Sequence, residues 1–233
     1  MEQLFYAPDI TTIPALPEEE SRHCMRVLRL KTGDVISVTD GKGFIYTATV
    51  SNPHPRHCQV SIINCRSQKP SRAYRIHMAV APTKNMDRME WFVEKATEIG
   101  VDTISCIRCR YSERKEIKLH RLQKIAVSAM KQSQKAFLPI INEIIEFNKF
   151  IAQEINGIKM IAHCADNNKQ LIKNVYVPDQ PALILIGPEG DFSSEEIAAA
   201  LAAGFVPVSL GESRLRTETA ALVACHTIHL LNQ

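Results

Sequence analysis

Two loops in the sequence carry the residue types that a ligand-binding enzyme needs. Residues 183–193 read LILIGPEGDFS, an apolar run that leaves through Gly187-Pro188-Glu189-Gly190 and reaches Ser193. Two glycines let backbone amides approach a ligand closely, and Pro188 fixes one φ between them. Taken alone, the stretch is either an ordinary strand-to-helix turn or a backbone cradle held open for a ligand. It is not a P-loop, because no Lys-Ser/Thr pair follows the second glycine, nor is it the GxGxxG dinucleotide fingerprint. The second loop, LGESRLRTETA at 210–220, repeats the design: an apolar run ends at Leu210, Gly211 follows, and a helix opens near Thr217 to Thr219. Thr217 or Thr219 is suited to cap that helix. Capping does not account for Arg214 and Arg216 ahead of it. Cations are disfavoured at a helix N-terminus, so Arg216 calls for an anionic partner, either Glu218 or a bound group.

Both loops need strands to leave from and helices to enter. From Tyr74 onward, strands alternate with helices. Ile76–Val80 and Val101–Ile107 read as strands, and between them Met89, Phe92, Val93, Ala96 and Ile99 form a helical stripe closed by Gly100. Leu122, Ile125, Ala126 and Ala129 mark a second helix. Lys159–Ala162 and Leu183–Ile186 have the unbroken apolar character of parallel strands buried on both faces. Ser193 with Glu196 is a capping box, opening a helix that Gly204 ends. Val206–Leu210 is then a strand and Thr219–Leu231 the last helix. The expectation is an α/β domain over 74–233 with a mostly parallel sheet, whose ligands sit at the carboxyl ends of strands. Residues 1–70 read instead as short strands, VISV and FIYTATV around Asp40-Gly41-Lys42-Gly43, then CQVSII, which predicts a small β-barrel. The polar stretch Arg66–Ala73 serves as linker.

Composition bounds the possibilities. Among 233 residues, 45% are hydrophobic and 23% charged, the balance of a globular protein rather than a disordered one. No apolar run approaches the length of a membrane span, and the N-terminus lacks the basic start and apolar core of a secretory signal. Seven scattered cysteines suit a reducing cytoplasm. Net charge is only +3, yet the basic residues are segregated. Arg22, Arg26, Arg29 and Lys31 form one acid-free group, Arg66, Lys69, Arg72, Arg75 and Lys84 a second, and Lys124, Lys131 and Lys135 a third. Such clustering suits a polyanion, while solvated surface charge is the plainer reading. The CxxC at Cys106–Cys109 has no second pair at zinc-ribbon spacing, so no metal site is expected.

Together the two loops are far more specific than either alone. GPEG-D-F-S-x-x-E, followed about twenty residues on by LG-x-x-x-LRTETA, resembles the bacterial 16S ribosomal RNA (uracil-N3)-methyltransferase family of the SPOUT class. His23-Cys24-Met25-Arg26-Val27-Leu28-Arg29-Leu30-Lys31 with Gly33-Asp34 is similar to that family's N-terminal signature. Lys95-Ala96-Thr97-Glu98-Ile99-Gly100-Val101 and Gln132-Ser133…Leu138-Pro139 match its middle, so the likeness spans essentially the whole chain. Two positions depart from the pattern: Asp191 stands where a second glycine is usual, and Gln134 where an arginine is.

The resemblance implies a PUA-like barrel over 1–70 that binds RNA, joined to a SPOUT methyltransferase domain over 74–233 with a C-terminal trefoil knot. It further implies a cytoplasmic homodimer acting on 16S ribosomal RNA or the small ribosomal subunit, with S-adenosylmethionine as methyl donor. Ile186, Gly187, Pro188, Glu189, Gly190, Leu210, Gly211, Leu215, Arg216 and Thr217 would contact that cofactor, and His163 or Cys164 would line the same pocket. Arg216 would stabilise charge developing on the uracil, with Glu189 or Glu218 as general base. Arg22, Arg26, Arg29 and Lys31, with Lys131 and Lys135, would grip phosphates. The same fold acting on a ribose 2′-oxygen, or a non-catalytic RNA-binding assembly factor, are the competing readings.

Overall fold

The computed structural model describes residues 3–68, 72–165 and 169–233. Part of the expected linker, residues 69–71, and with it Lys69, lies outside the described residues. The chain divides into two units, Met1–Ser71 with Val127–Leu138, and Arg72–Ala126 with Pro139–Gln233.

In the first unit, β1 (Leu4–Tyr6), β2 (Val35–Thr39), β3 (Phe44–Asn52) and β4 (Gln59–Ser67) form a sheet in that order. β1 pairs parallel with β2, and the remaining neighbours are antiparallel. The Asp-Gly turn joins β2 to β3 as expected: Gly41 and Gly43 have φ 73° and 101°, and Asp40 accepts from the Lys42 and Phe44 amides. A Cβ on Gly41 would stand 2.9 Å from the Tyr6 ring and 3.2 Å from Leu138, so the turn is also a point of close packing. Phe5, Ile10, Leu16, Val38, Tyr46 and Val50 build the core with Cys24. Cys24 comes from a helical stretch in which α1 (Glu18–Arg22) widens into a π-turn, His23–Val27, and Arg29 follows at φ 56°.

Val127–Leu138 clusters with this unit, whereas its place in the chain and its helical pattern predict that it belongs with residues 74–233. Its ties are non-local. The Ala136 carbonyl accepts from the Gly43 amide, and the Leu138 amide donates to the Gly41 carbonyl, 2.8 and 2.9 Å respectively. Lys131 reaches the buried Glu20 carboxylate at 2.5 Å. Periodicity reports which face of a helix is apolar, not which unit buries it.

The second unit holds β5 (Ile76–Val80), β6 (Thr103–Arg108), β7 (Ile140–Glu146), β8 (Ile158–Ala162), β9 (Gln170–Leu171), β10 (Ala182–Ile186) and β11 (Val206–Ser209). They form one sheet in the order β7-β6-β5-β10-β8-β11-β9, and every pairing is parallel. The helices are α2 (Met86–Ile99), α3 (Leu119–Gln132, whose second half belongs to the first unit), α4 (Phe147–Ile151), α5 (Ile172–Val175), α6 (Ser194–Ala202) and α7 (Thr217–Leu230). Asn85 caps α2 and Gly100 ends it at φ 114°; the Ser193–Glu196 capping box on α6 is formed in both directions. β10 is buried along its whole length, as its unbroken apolar run requires. β7, α4, α5 and β9 were not legible, being short or, for β7, half-exposed at the sheet edge. β5 and β10 are neighbours although five strands apart in chain order, a topological switch point of the kind that places ligands at strand carboxyl ends.

One half-buried group makes this unit sensitive to acid. Asn142 donates to Ser105 Oγ at 2.9 Å, which leaves the Ser105 hydroxyl to donate to His77 Nε2 at 2.8 Å. That chain suits a neutral imidazole, and burial pushes the His77 pKa down from 6.5 to about 4. The unfolded chain therefore binds the extra proton between these values, and stability is lost as pH falls through that window. Urea titrations should show about 3 kcal/mol of acid destabilisation that disappears in His77→Gln. Parallel pH profiles for the two proteins would refute it.

Candidate active site

The GPEG loop leaves β10 under tight packing. Gly187 and Gly190 do not have positive φ; what they provide is space. A Cβ on Gly187 would lie 3.1 Å from the Phe192 ring, and one on Gly190 would lie 3.1 Å from Tyr111 Cβ. The left-handed residue is Asp191, at φ 65°, closing a turn through its amide to the Pro188 carbonyl at 2.9 Å. Glycine is the easiest residue for that conformation, and aspartate is among the few others that adopt it. The departure at Asp191 therefore keeps the backbone and adds a function: its Oδ2 accepts from the Cys164 amide at 2.7 Å, joining this loop to the one after β8. Gln134, the second departure, is also left-handed, at φ 56°.

LRTETA differs from expectation at the helix start. The N-cap of α7 is Arg216, with no side-chain cap, so neither Thr217 nor Thr219 caps it. Thr217 instead donates its hydroxyl to the Gly187 carbonyl at 3.1 Å. A buried carbonyl at the end of a strand needs a partner, and this threonine supplies it. The Arg216 side chain is exposed. Glu218 does not pair with it: the carboxylate is buried, faces Arg88 Nε at 3.8 Å, and leaves Oε2 without a partner among the described residues. Glu189 is exposed and accepts from the Lys84 amide at 3.0 Å, tying the GPEG loop to the loop after β5.

A cavity of about 460 Å³ lies beside these loops, at the ends of β8 and β11 and the start of α7. That is within the roughly 300–1,000 Å³ of small-ligand sites. Of the residues singled out in the sequence for the cofactor, His163, Cys164, Leu210, Gly211 and Leu215 line it; Lys169 and Arg214 also do. Ile186, Gly187, Pro188, Glu189, Gly190, Arg216 and Thr217 are not in its wall; the GPEG loop reaches the wall through the Asp191–Cys164 hydrogen bond, and is joined to Thr217 through Gly187. His163 is buried with both ring nitrogens unpartnered among the described residues. Burial, reinforced by the Lys169 ammonium, pushes its pKa down and keeps the imidazole neutral. A neutral ring offers one donor and one acceptor to a polar ligand, so the cavity fits a cofactor bearing hydroxyl and amino groups. Lys169 donates to the His163 and Ala165 carbonyls, a contact that no sequence motif signalled.

The basic residues of the first unit divide into two kinds. Arg26, Arg29 and Lys31 are exposed. Arg22 is held by Glu18 at 2.7 Å, Lys131 by Glu20, and Lys135 is half-buried. Lys131 therefore ties α3 to α1 within the unit. Among the described residues, no helix is long and apolar enough to cross a membrane.

The comparisons with known proteins agree with this geometry. The profile of an RNA methyltransferase domain matches residues 69–229, and that of an RNA methyltransferase PUA domain matches residues 16–63. The crystal structure of a probable rRNA-methyltransferase from Porphyromonas gingivalis is 47% identical, with TM-score 0.94, covering 99% of this chain and 98% of that one. A ribosomal RNA small subunit methyltransferase E from Neisseria gonorrhoeae, bound to S-adenosyl methionine, is 27% identical with TM-score 0.88, covering 100% of this chain and 98% of that one. The enzyme of the same description from Synechocystis is 28% identical over 98% of this chain and 77% of its own length. With its parallel sheet, its paired loops and matches along nearly the whole sequence, the chain belongs to the RNA methyltransferase family defined by that domain and its PUA companion.

Proposed function

We propose that the protein methylates N3 of a uridine in 16S ribosomal RNA of the small ribosomal subunit, with S-adenosylmethionine as donor. The observation that carries this reading is a cofactor-sized cavity lined by Leu210, Gly211 and Leu215, with the GPEG loop bonded to its Cys164 wall through Asp191 and to Thr217 through Gly187. When bound there, S-adenosylmethionine supplies a methyl group already activated on a sulfonium. The chain must then hold it, exclude water and generate a nucleophile. His163, Cys164 and the main chain of Leu210, Gly211 and Leu215 hold it; Ile186–Gly190, Arg216 and Thr217 shape the side that faces the RNA.

Uracil N3 carries a proton and is a poor nucleophile while it does. Its loss spreads negative charge over N3, O2 and O4. Arg216 stabilises that charge as it develops, helped by the field at the start of α7. Glu189, exposed on the GPEG loop, is better disposed than the buried Glu218 to accept the proton, and Glu218 orients Arg88 instead. The first unit would bind RNA through Arg26, Arg29 and Lys31, with Arg22 and Lys135 at the margin. We infer a trefoil knot in the second unit, a homodimer and a cytoplasmic location from family membership.

Nucleoside mass spectrometry of 16S ribosomal RNA from a strain lacking the protein should show N3-methyluridine missing. Loss of a 2′-O-methylated nucleotide, or no change, would sink the assignment. Arg216→Ala should lower kcat about 10²- to 10³-fold and leave calorimetric S-adenosylmethionine affinity unchanged; undiminished turnover removes Arg216 from the chemistry. RNA affinity should fall with salt, and replacing Arg26 and Lys31 by alanine should flatten the log–log slope by about 1.5. Lys131→Ala should leave the slope alone and lower the melting temperature.

A further inference from the structure

Glu218 has an unmet need that points to its neighbour. The residue is 8% exposed, and its buried Oε2 has no partner among the described residues. Its Oε1 lies 3.8 Å from Arg88 Nε, an ion pair too long to be a hydrogen bond. A buried carboxylate held only by an open pair is costly. Closing the gap by about 1 Å would let Nε–H and one Nη–H of the guanidinium meet both carboxylate oxygens side-on. That pairing uses two of the five N–H groups and leaves three to face outward. The Arg88 side chain is 37% exposed, and its terminal nitrogens make no hydrogen bond among the described residues.

The pair stands beside the GPEG loop. Thr217, adjacent to Glu218, donates to the Gly187 carbonyl. Lys84, just ahead of the Asn85 cap of α2, gives its amide to Glu189, and Arg88 follows in the first turn of that helix. α2 follows β5 and α7 follows β11, so both helices begin at strand carboxyl ends, the side on which a parallel sheet holds ligands. The other charges nearby are mixed. Arg216, Asp87 and Glu189 are exposed, and Lys84 pairs with Glu113 at 2.8 Å. No excess of positive charge draws a phosphate here. Glu218 balances Arg88, and a balanced pair with outward donors suits a neutral acceptor that gains charge only during reaction. The uracil oxygens beside N3 are acceptors of that kind.

We propose that Arg88 is a second catalytic guanidinium of the methyl transfer, donating to a uracil carbonyl oxygen beside N3, and that Glu218 is the positioning residue that aims it. This inference rests on the N3-methyluridine reading and deepens it. N3 gives its proton to Glu189, and its electron pair forms the bond to the methyl carbon while the pair of the broken C–S bond stays on sulfur. Arg216 and Arg88 then answer the two oxygens over which the negative charge spreads.

The test measures kcat, RNA affinity, S-adenosylmethionine affinity and oligomeric state for wild type, Arg88→Gln, Glu218→Gln and the double variant. The substrate is 16S ribosomal RNA from a strain lacking the protein. The double variant leaves no buried charge unpaired, so it carries the test if Arg88→Gln fails to fold. Arg88→Gln should lower kcat about 10²- to 10³-fold. Both affinities and the oligomeric state should match wild type, because the charge it meets belongs to the transition state. Its kcat should also keep rising to higher pH than that of wild type, since the uracil anion forms less readily. Glu218→Gln should lower kcat less, and cost nothing further in the Arg88→Gln background. Lost RNA affinity with kcat kept would make Arg88 a phosphate contact. Lost cofactor affinity or a changed oligomeric state would make the pair structural, and additive losses in kcat would separate Glu218 from Arg88. Each of these overturns the proposal, as does an unmoved pH profile. Absence of N3-methyluridine formation by the wild type counts against the functional reading. Formation by the wild type that is undiminished in the double variant counts against this inference alone.

Discussion

The hydroxyl of Thr217 and the carbonyl of Gly187 form the contact on which the site depends. Gly187 is the first residue beyond β10, buried, and its carbonyl points away from the sheet ladder. Leaving such an acceptor unmet costs about 1–3 kcal/mol. The partner comes from the first residue of α7, thirty positions later, so the bond sets where α7 begins relative to β10. Two more side-chain-to-backbone bonds work the same way. Asp191 takes the Cys164 amide and Glu189 takes the Lys84 amide. Loops after β5, β8, β10 and β11 are thereby stitched into one surface, with a backbone group of each of the first three met by a side chain of another.

The charged residues around this surface divide by burial. Glu196, Asp102 and Glu20 are buried and bound to donors, and they serve the fold. Glu196 completes the capping box of α6 and also receives the Arg110 amide. Asp102 receives Arg72 and the Ile76 amide, both at 2.8 Å, where the second unit begins. Arg216, Arg26 and Lys31 remain exposed and keep their charge available to an anion. Desolvating a carboxylate is tolerable only with such partners, and a cation left in solvent costs little until RNA arrives.

Much of the site was legible because its signals are local. Ser193 and Glu196 are three residues apart, Gly100 follows its own helix, and Asp40-Gly41 sits inside its own hairpin, so each reading needed only neighbouring chemistry. The paired loops were legible through resemblance, and with them Cys164, Leu210, Gly211 and Leu215. What escaped was settled by residues far apart in the chain. Lys169 enters the cavity wall, Thr217 serves Gly187 rather than its own helix, and Lys131 answers Glu20 rather than solvent. Val127–Leu138 joins the first unit because Ala136 and Leu138 meet the Gly41–Gly43 turn, a match that no window of sequence contains.

The sequence by itself determined the alternation of strands and helices in the second unit, the hairpin in the first and the turn chemistry. Those follow from side-chain period, propensity and backbone freedom, which act over a few residues. The pairing of the two loops was read from resemblance. Only the tertiary structure decided that β10 lies between β5 and β8, that four loops share one surface, and which cations are consumed in ion pairs. Strand order and ion pairing depend on which distant groups are brought within bonding distance, and that is a property of the closed chain.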